Sequence, residues 1–379
     1  MILPSFPKPA DPYFASGHTV KRPGWSVANL SKALTGRSHR SVAGLERIRE
    51  MLSYTRQILE IPTDYHVGLV AGSTTGAVEM ALWNLLGARG VDSLAFDVFG
   101  HRWQYQLQHA LKIADLRCLN APEGLLPDLY QVDFNRDVVF LWNGSTSGVC
   151  MPHGDWIPDD RTGLTICDAT SAVFAMKLPW KKLDVTAFSW QKGLGSEAAH
   201  GMLVLSPRAV ERLESYQPPW PVPGLYRLRE HGKLHKAIFE GLTTNTPSML
   251  CIEDYLDALK WAEGIGGLNA LIARSRHNLE VVKEGLAGLP WLQFLATDPT
   301  TYSSSTICLK MTSAGLSPPE QWSSIQGIAQ ILAKYHIAYD CLNHTSATPA
   351  FRLWGGPTMQ SENLKYLLPW LTWAKDQLE

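Results

Sequence analysis

Through the first two hundred residues the chain repeats one polarity pattern. A short, continuous apolar run ends in small or polar residues, and a longer amphipathic stretch follows. The runs are Tyr65–Ala71, Asp92–Val98, Asp137–Trp142, Leu164–Asp168, Val185–Trp190 and Gly201–Leu205. Their β-branched and aromatic content predicts strands, and their unbroken apolar character predicts burial on both faces. Strands of that kind belong to a largely parallel sheet covered by helices. Between them, Val42–Leu59 and Ala77–Leu86 read as helices. Ser206-Pro207 starts another, with a capping serine and proline in the first turn. The proline-rich stretch Pro218–Gly224 breaks the alternation and predicts a surface excursion. A helix is expected from near Ser248 to about Ala262. From about Gly266 the pattern becomes α+β: a helix to about Gly288, strand Thr306–Met311, a helix near Pro319–Lys334, strands Ile337–Asp340 and Phe351–Trp354, and a final helix.

Composition narrows the function classes. The 379 residues are 45% hydrophobic with a formal net charge of -1, enough for a sizeable core and without the basic footprint of a nucleic-acid binder. No apolar run has membrane-spanning length, and Met1-Ile-Leu-Pro-Ser-Phe-Pro7 lacks the layout of a signal peptide. Cysteines 118, 150, 167, 251, 308 and 341 are scattered without a Cys-x-x-Cys pair, which fits structural thiols in a reducing cytoplasm. No His/Glu spacing resembles a metal site.

The candidate chemistry centres on Lys192, where the run ending in Trp190 passes through Gln191 into the turn Gly193-Leu-Gly195. A strand-end lysine is most often a surface residue. At the carboxyl edge of an α/β sheet, partial desolvation would instead lower its pKa and make it a Schiff-base nucleophile. Asp168 ends the preceding run and is followed by small residues. A lysine for an aldehyde and an acid against a pyridine nitrogen are the pair that pyridoxal phosphate (PLP) needs. Gly72-Ser-Thr-Thr-Gly76 between a strand and a helix could aim amides at a phosphate, although its spacing is neither a Walker loop nor a dinucleotide fingerprint. Phe99 or Trp103 could stack on a flat ring, Thr146 could donate to a phenolic oxygen, and His39 and Arg40 suit a carboxylate or phosphate.

These residues sit in segments that closely resemble the phosphoserine aminotransferases, fold-type I class V PLP enzymes, most of all their archaeal and alphaproteobacterial branch. The matching segments include Gly36-Arg-Ser-His-Arg-Ser41, Thr75–Met80, Trp142–Gly148, Ile166–Ala172, Phe188–Lys192, Ala199–Met202, Leu205–Leu213 and Thr244–Leu250. The resemblance runs from about Pro12 to the C-terminus. It implies a mostly parallel seven-stranded sheet in a large PLP-binding domain (26–263), a small C-terminal α+β domain (264–379), and an N-terminal arm (1–25) contributing to the substrate site. It implies that Lys192 carries the cofactor and moves the substrate proton, and that Asp168 pairs with the ring nitrogen. Phe99 is placed as the stacking aromatic, with Trp103 the near alternative, and Thr146 at the phenolic oxygen. Ser73, Thr74 and Gln191 are placed at the phosphate. Asn245 and Thr246 would reach that phosphate from a second subunit, making a homodimer with its site at the interface. Arg352 would grip the substrate α-carboxylate, and His39, Arg40 and His344 would face its distal anion.

Three positions depart from that pattern. The arm reads Ser16-Gly17-His18 where the family has Ser-Gly-Pro, Thr74 stands where this branch has aspartate, and Thr345 follows His344 where the family has an arginine. The expected reaction is ping-pong amino transfer from glutamate to 3-phosphohydroxypyruvate, giving phosphoserine and 2-oxoglutarate. The alternative is a repurposed relative acting on an unphosphorylated amino acid or keto acid, by transamination or β-elimination.

Overall fold

The computed structural model describes residues 3–312 and 315–378. In chain order the main elements are α1 (Val42–Ile58), β1 (His66–Ala71), α2 (Ser73–Leu85), β2 (Val91–Ala95), α3 (Val98–Tyr105), β3 (Leu116–Asn120), β4 (Asp137–Leu141), the hairpin β5 (Asn143–Gly144) and β6 (Val149–Cys150), β7 (Thr165–Asp168), β8 (Val185–Ser189), β9 (His200–Leu205) and α4 (Pro207–Ser215). The hairpin β10 (Arg229–Glu230) and β11 (Lys233–Leu234) follows, then α5 (Met249–Gly264), α6 (Gly267–Leu286), β12 (Leu292–Phe294), β13 (Thr306–Met311), α7 (Pro318–Lys334), β14 (Phe351–Trp354) and α8 (Ser361–Asp376). Seven strands form one sheet in the order β1-β9-β8-β7-β4-β2-β3. The strands β8, β7, β4, β2 and β3 run parallel, whereas β9 is antiparallel to both neighbours. Every residue of β2, β4, β7, β8 and β9 is buried, which explains their mostly apolar sequence; the polar exceptions, such as Asp92 and Ser93 of β2, are buried too.

A second, antiparallel sheet, β12-β13-β14, packs with α7 and α8 around its own apolar cluster. Helix α6 joins the two cores: Leu268, Leu271 and Ile272 lie in the first, Leu279 and Val282 in the second. The arm belongs to the second core through Phe14, which is fully buried.

Several elements differ from the sequence reading. The strand expected over Asp92–Val98 stops at Ala95, because Asp97 caps α3 by accepting from the Gly100 amide. Ile337–Asp340 is not a strand; Tyr339 makes only an isolated bridge with Tyr13 of the arm. Helix α2 starts four residues earlier than the expected Ala77, at Ser73, with Gly72 and Ser73 both at positive φ (80° and 55°). Strands β3 and β12 were not foreseen; both are short, and β3 is half-exposed.

Candidate functional site

Parallel order places the carboxyl ends of β7 and β8 side by side, and with them Asp168 and the turn carrying Lys192. Two hydrogen bonds and two close backbone approaches hold that turn. Thr19 of the arm donates its amide to the Gln191 carbonyl (2.9 Å) and its hydroxyl to the Lys192 carbonyl (2.7 Å). A side chain on Gly193 would collide with the Val173 carbonyl, and one on Gly195, at φ 63°, with the Val20 carbonyl. The Lys192 backbone is therefore gripped on two sides while its side chain turns inward, 7% exposed. Burial, reinforced by the Arg352 guanidinium and opposed by Asp168 and Asp97, brings the Lys192 amine down to about 8.

Asp168 is buried beside it. Its Oδ1 accepts from the Thr170 amide (3.1 Å) and hydroxyl (2.7 Å), and its Oδ2 from the Trp103 indole (3.2 Å). Burial pushes this carboxyl up, and the Thr170 bonds oppose it. The two aromatics of α3 thus take different positions: Lys192 Nζ lies 5.7 Å from the centre of the Phe99 ring, while Trp103 orients the carboxylate. Thr146 is fully buried, and its hydroxyl accepts from the Val98 amide (3.1 Å), leaving its own proton to donate.

At the start of α2 no side chain caps the first amides, so the Ser73 turn presents free donors. The Thr74 hydroxyl is within hydrogen-bond distance of Thr170 (2.7 Å) and Ser189 (2.6 Å). Ser189 also donates to the Gln191 side-chain oxygen, which leaves the Gln191 amide group as a donor. Thr74 is therefore tied through Thr170 to Asp168, linking the α2 turn to the carboxylate.

Arg352 lies on β14, mostly buried, with its Nε lacking a partner. Burial lowers its pKa, opposed by Cys308 and Asp97. Gly17 passes close by: a Cβ there would sit 3.9 Å from an Arg352 terminal nitrogen, and the neighbouring Ser16 hydroxyl is buried and unpartnered. His39 is buried with Nε2 unpartnered, and burial followed by the Arg40 charge lowers its pKa. Arg40 is exposed, as are His344 and Thr345, with His344 Nδ1 2.7 Å from the Ser346 hydroxyl. Asn245 donates its side-chain amide to the Thr246 carbonyl (3.3 Å), and its own carbonyl accepts from the Thr243 hydroxyl (2.6 Å). His18, the departure in the arm, pairs with Glu197 (3.3 Å).

The sequence reading passed over three residues of the site, two of which carried a signal. Thr170 is the i+2 partner of Asp168 in an Asx-type turn. Asp97 precedes Val98-Phe-Gly as a helix cap. Thr19 had none, because its partners are 172 and 173 residues away. A groove of about 920 Å³ between α6 and α8 touches none of these residues. Among the described residues no cluster could hold a metal, and no helix is long and apolar enough to cross a membrane.

A large, mostly parallel seven-stranded sheet with a lysine turn and a strand-end aspartate at its carboxyl edge defines the fold of the PLP-dependent aminotransferases. Solved structures share it. A phosphoserine aminotransferase from Cytophaga hutchinsonii superposes with a TM-score of 0.81 at 19% identity, covering 96% of this chain and 98% of that one. A PLP-bound phosphoserine aminotransferase from Trichomonas vaginalis gives 0.77 at 15% identity, covering 95% and 99%. Sequence comparison goes further: the phosphoserine aminotransferase of Methanosarcina mazei is 50% identical over 368 residues, 97% of this chain and 98% of that protein. No family model matches the chain. The chain belongs to the phosphoserine aminotransferase family.

Proposed function

We propose that this chain is a PLP-dependent aminotransferase that moves an amino group from glutamate to 3-phosphohydroxypyruvate, giving phosphoserine and 2-oxoglutarate. The observation that carries the reading is the buried Lys192 amine, held near a pKa of about 8 beside a buried carboxylate, in a chain half identical to a phosphoserine aminotransferase. The residues fit the cofactor. Lys192 offers a reactive amine, Asp168 an oriented carboxylate for a pyridine nitrogen, Phe99 a ring face and Thr146 a spare hydroxyl proton. The backbone amides of Ser73 and Thr74 and the side-chain amide of Gln191 offer phosphate donors around the uncapped start of α2. Bound there, the cofactor supplies an electron sink for the substrate's Cα bonds. Lys192 Nζ is the base that takes the Cα proton, and a pKa of about 8 suits it to that task near neutral pH. The guanidinium of Arg352, unpaired at Nε, holds the α-carboxylate and orients Cα.

The same reading places His39, Arg40 and His344 on the side of the substrate's distal anion. It takes Asn245 and Thr246 to a second subunit, so the working unit is a homodimer in the cytoplasm. The chain divides into an arm (1–25), a large domain (26–263) and a small domain (264–379). Thr345, an exposed neutral residue beside His344, favours the second reading, an unphosphorylated amino acid or keto acid as substrate. Replacement of the lysine (Lys192→Ala) should abolish turnover while cofactor still binds; full turnover by that variant would refute the assignment.

A further inference from the structure

Asp97 is fully buried, yet none of the roles above uses it. It stands between β2 and α3, and its two oxygens reach different segments. Oδ1 accepts from the Gly100 amide at 2.9 Å, capping the helix that carries Phe99 and Trp103. Oδ2 accepts from the Thr146 amide at 3.3 Å. The link is reciprocal, because the Thr146 hydroxyl accepts from the Val98 amide at 3.1 Å. Asn343, from the loop before β14, completes the junction by donating to the Thr146 carbonyl at 2.8 Å. One carboxylate therefore sets the ring-facing helix and the Thr146 loop in a common frame.

Charge adds a second relation. The charged and titratable groups facing Asp97 are Lys192 after β8, Asp168 at the end of β7, Cys308 on β13 and Arg352 on β14, with Glu123 acting on Cys308 from beyond. Asp168 already accepts from Thr170 and Trp103. Among the described residues Asp97 accepts from backbone amides alone, and it faces both Lys192 and Arg352. Burial pushes its carboxyl up; the two amides and Lys192 oppose that and favour the anion.

We propose that Asp97 is a positioning residue of this site, fixing Phe99 and Thr146 relative to each other and holding a negative charge against both Lys192 and Arg352. The inference rests on the reading of Lys192 as the cofactor-bearing lysine. Asparagine and serine are both competent helix caps, so Asp97→Asn and Asp97→Ser keep the α3 cap while removing the charge and the acceptor for the Thr146 amide. A purely structural role would leave the titration of Lys192 unchanged in both.

The experiment is a pH titration of the visible absorbance band of PLP-loaded wild type, both neutral variants and Asp97→Glu, with cooperative melting of each as a folding check. Loss of an opposite charge should lower the band's pH midpoint by about one unit in both neutral variants. Asp97→Glu should stay near wild type. Equal midpoints in wild type and folded neutral variants would overturn the proposal. Failure of both neutral variants to fold would also overturn it, since Asp97 would then serve stability alone. A wild type that develops no band with PLP would instead refute the cofactor reading itself.

Discussion

The depressed pKa of Lys192 has a direct kinetic consequence. An ordinary lysine at 10.5 would be deprotonated in roughly one molecule in 3000 at pH 7; at about 8 the fraction is roughly one in ten, a gain near 300-fold in reactive amine. Burial is the larger cause and the Arg352 cation the next. Removing that cation while keeping side-chain length (Arg352→Met) should therefore raise the Lys192 pKa, by about one unit. The assay is reconstitution: apoprotein is mixed with PLP and growth of the visible band is followed from pH 6 to pH 10. The wild-type rate should rise with pH and level off above about 8, and the Arg352→Met profile should lie to higher pH. A wild-type rate still climbing tenfold per unit beyond pH 9 would show that Lys192 is an ordinary amine. An unmoved profile in Arg352→Met would show that burial alone sets it.

Placing at this position the arginine that the resemblance implies, Thr345→Arg, should tighten phosphoserine binding by roughly ten- to a hundredfold, the worth of one charge-assisted contact; a phosphoserine titration showing no change would place residue 345 away from the phosphate. Gly195→Ala adds a Cβ against the Val20 carbonyl at φ 63°, and should cost about 1–3 kcal/mol by denaturant melting. A wild-type midpoint would mean that the arm yields freely. His200 accepts from the Ser248 amide and is held by burial at about 4, below the ordinary 6.5. The unfolded chain therefore takes up this proton first as pH falls, so this residue's stability is complete above 6.5 and is lost towards 4, by on the order of 3 kcal/mol. His200→Gln keeps an acceptor and should flatten the fall in Tm over that window; an unchanged slope would assign the acid sensitivity elsewhere.

The Lys192–Asp168 pair was legible because buried parallel strands announce themselves as continuous apolar runs, and adjacent strands β7 and β8 end at one sheet edge. Contacts made across long sequence separations were not. Thr19 reaches the lysine turn from the arm, and Tyr339 bridges Tyr13, so Ile337–Asp340 carries a strand-like sequence with almost no ladder. Strand β3 alternates with charged and polar residues such as Arg117 and Asn120 because it is the sheet edge, and it blends into the flanking loops. Phe96 and Val98 made the strand look longer, although Asp97 between them caps a helix. Phe99 and Trp103 lie one turn apart on the same face of α3 yet meet different partners, Lys192 and Asp168, a division that residue type does not encode.

The central claim is tested most directly by the half-reaction of the PLP-loaded enzyme. Phosphoserine, glutamate, serine and alanine are added separately, and loss of the visible band is followed for each. Rapid bleaching by phosphoserine and by glutamate, with serine and alanine slow, is the predicted result. Bleaching by an unphosphorylated amino acid while phosphoserine leaves the band intact would contradict it, and would mark Thr345 as the sign of a changed substrate.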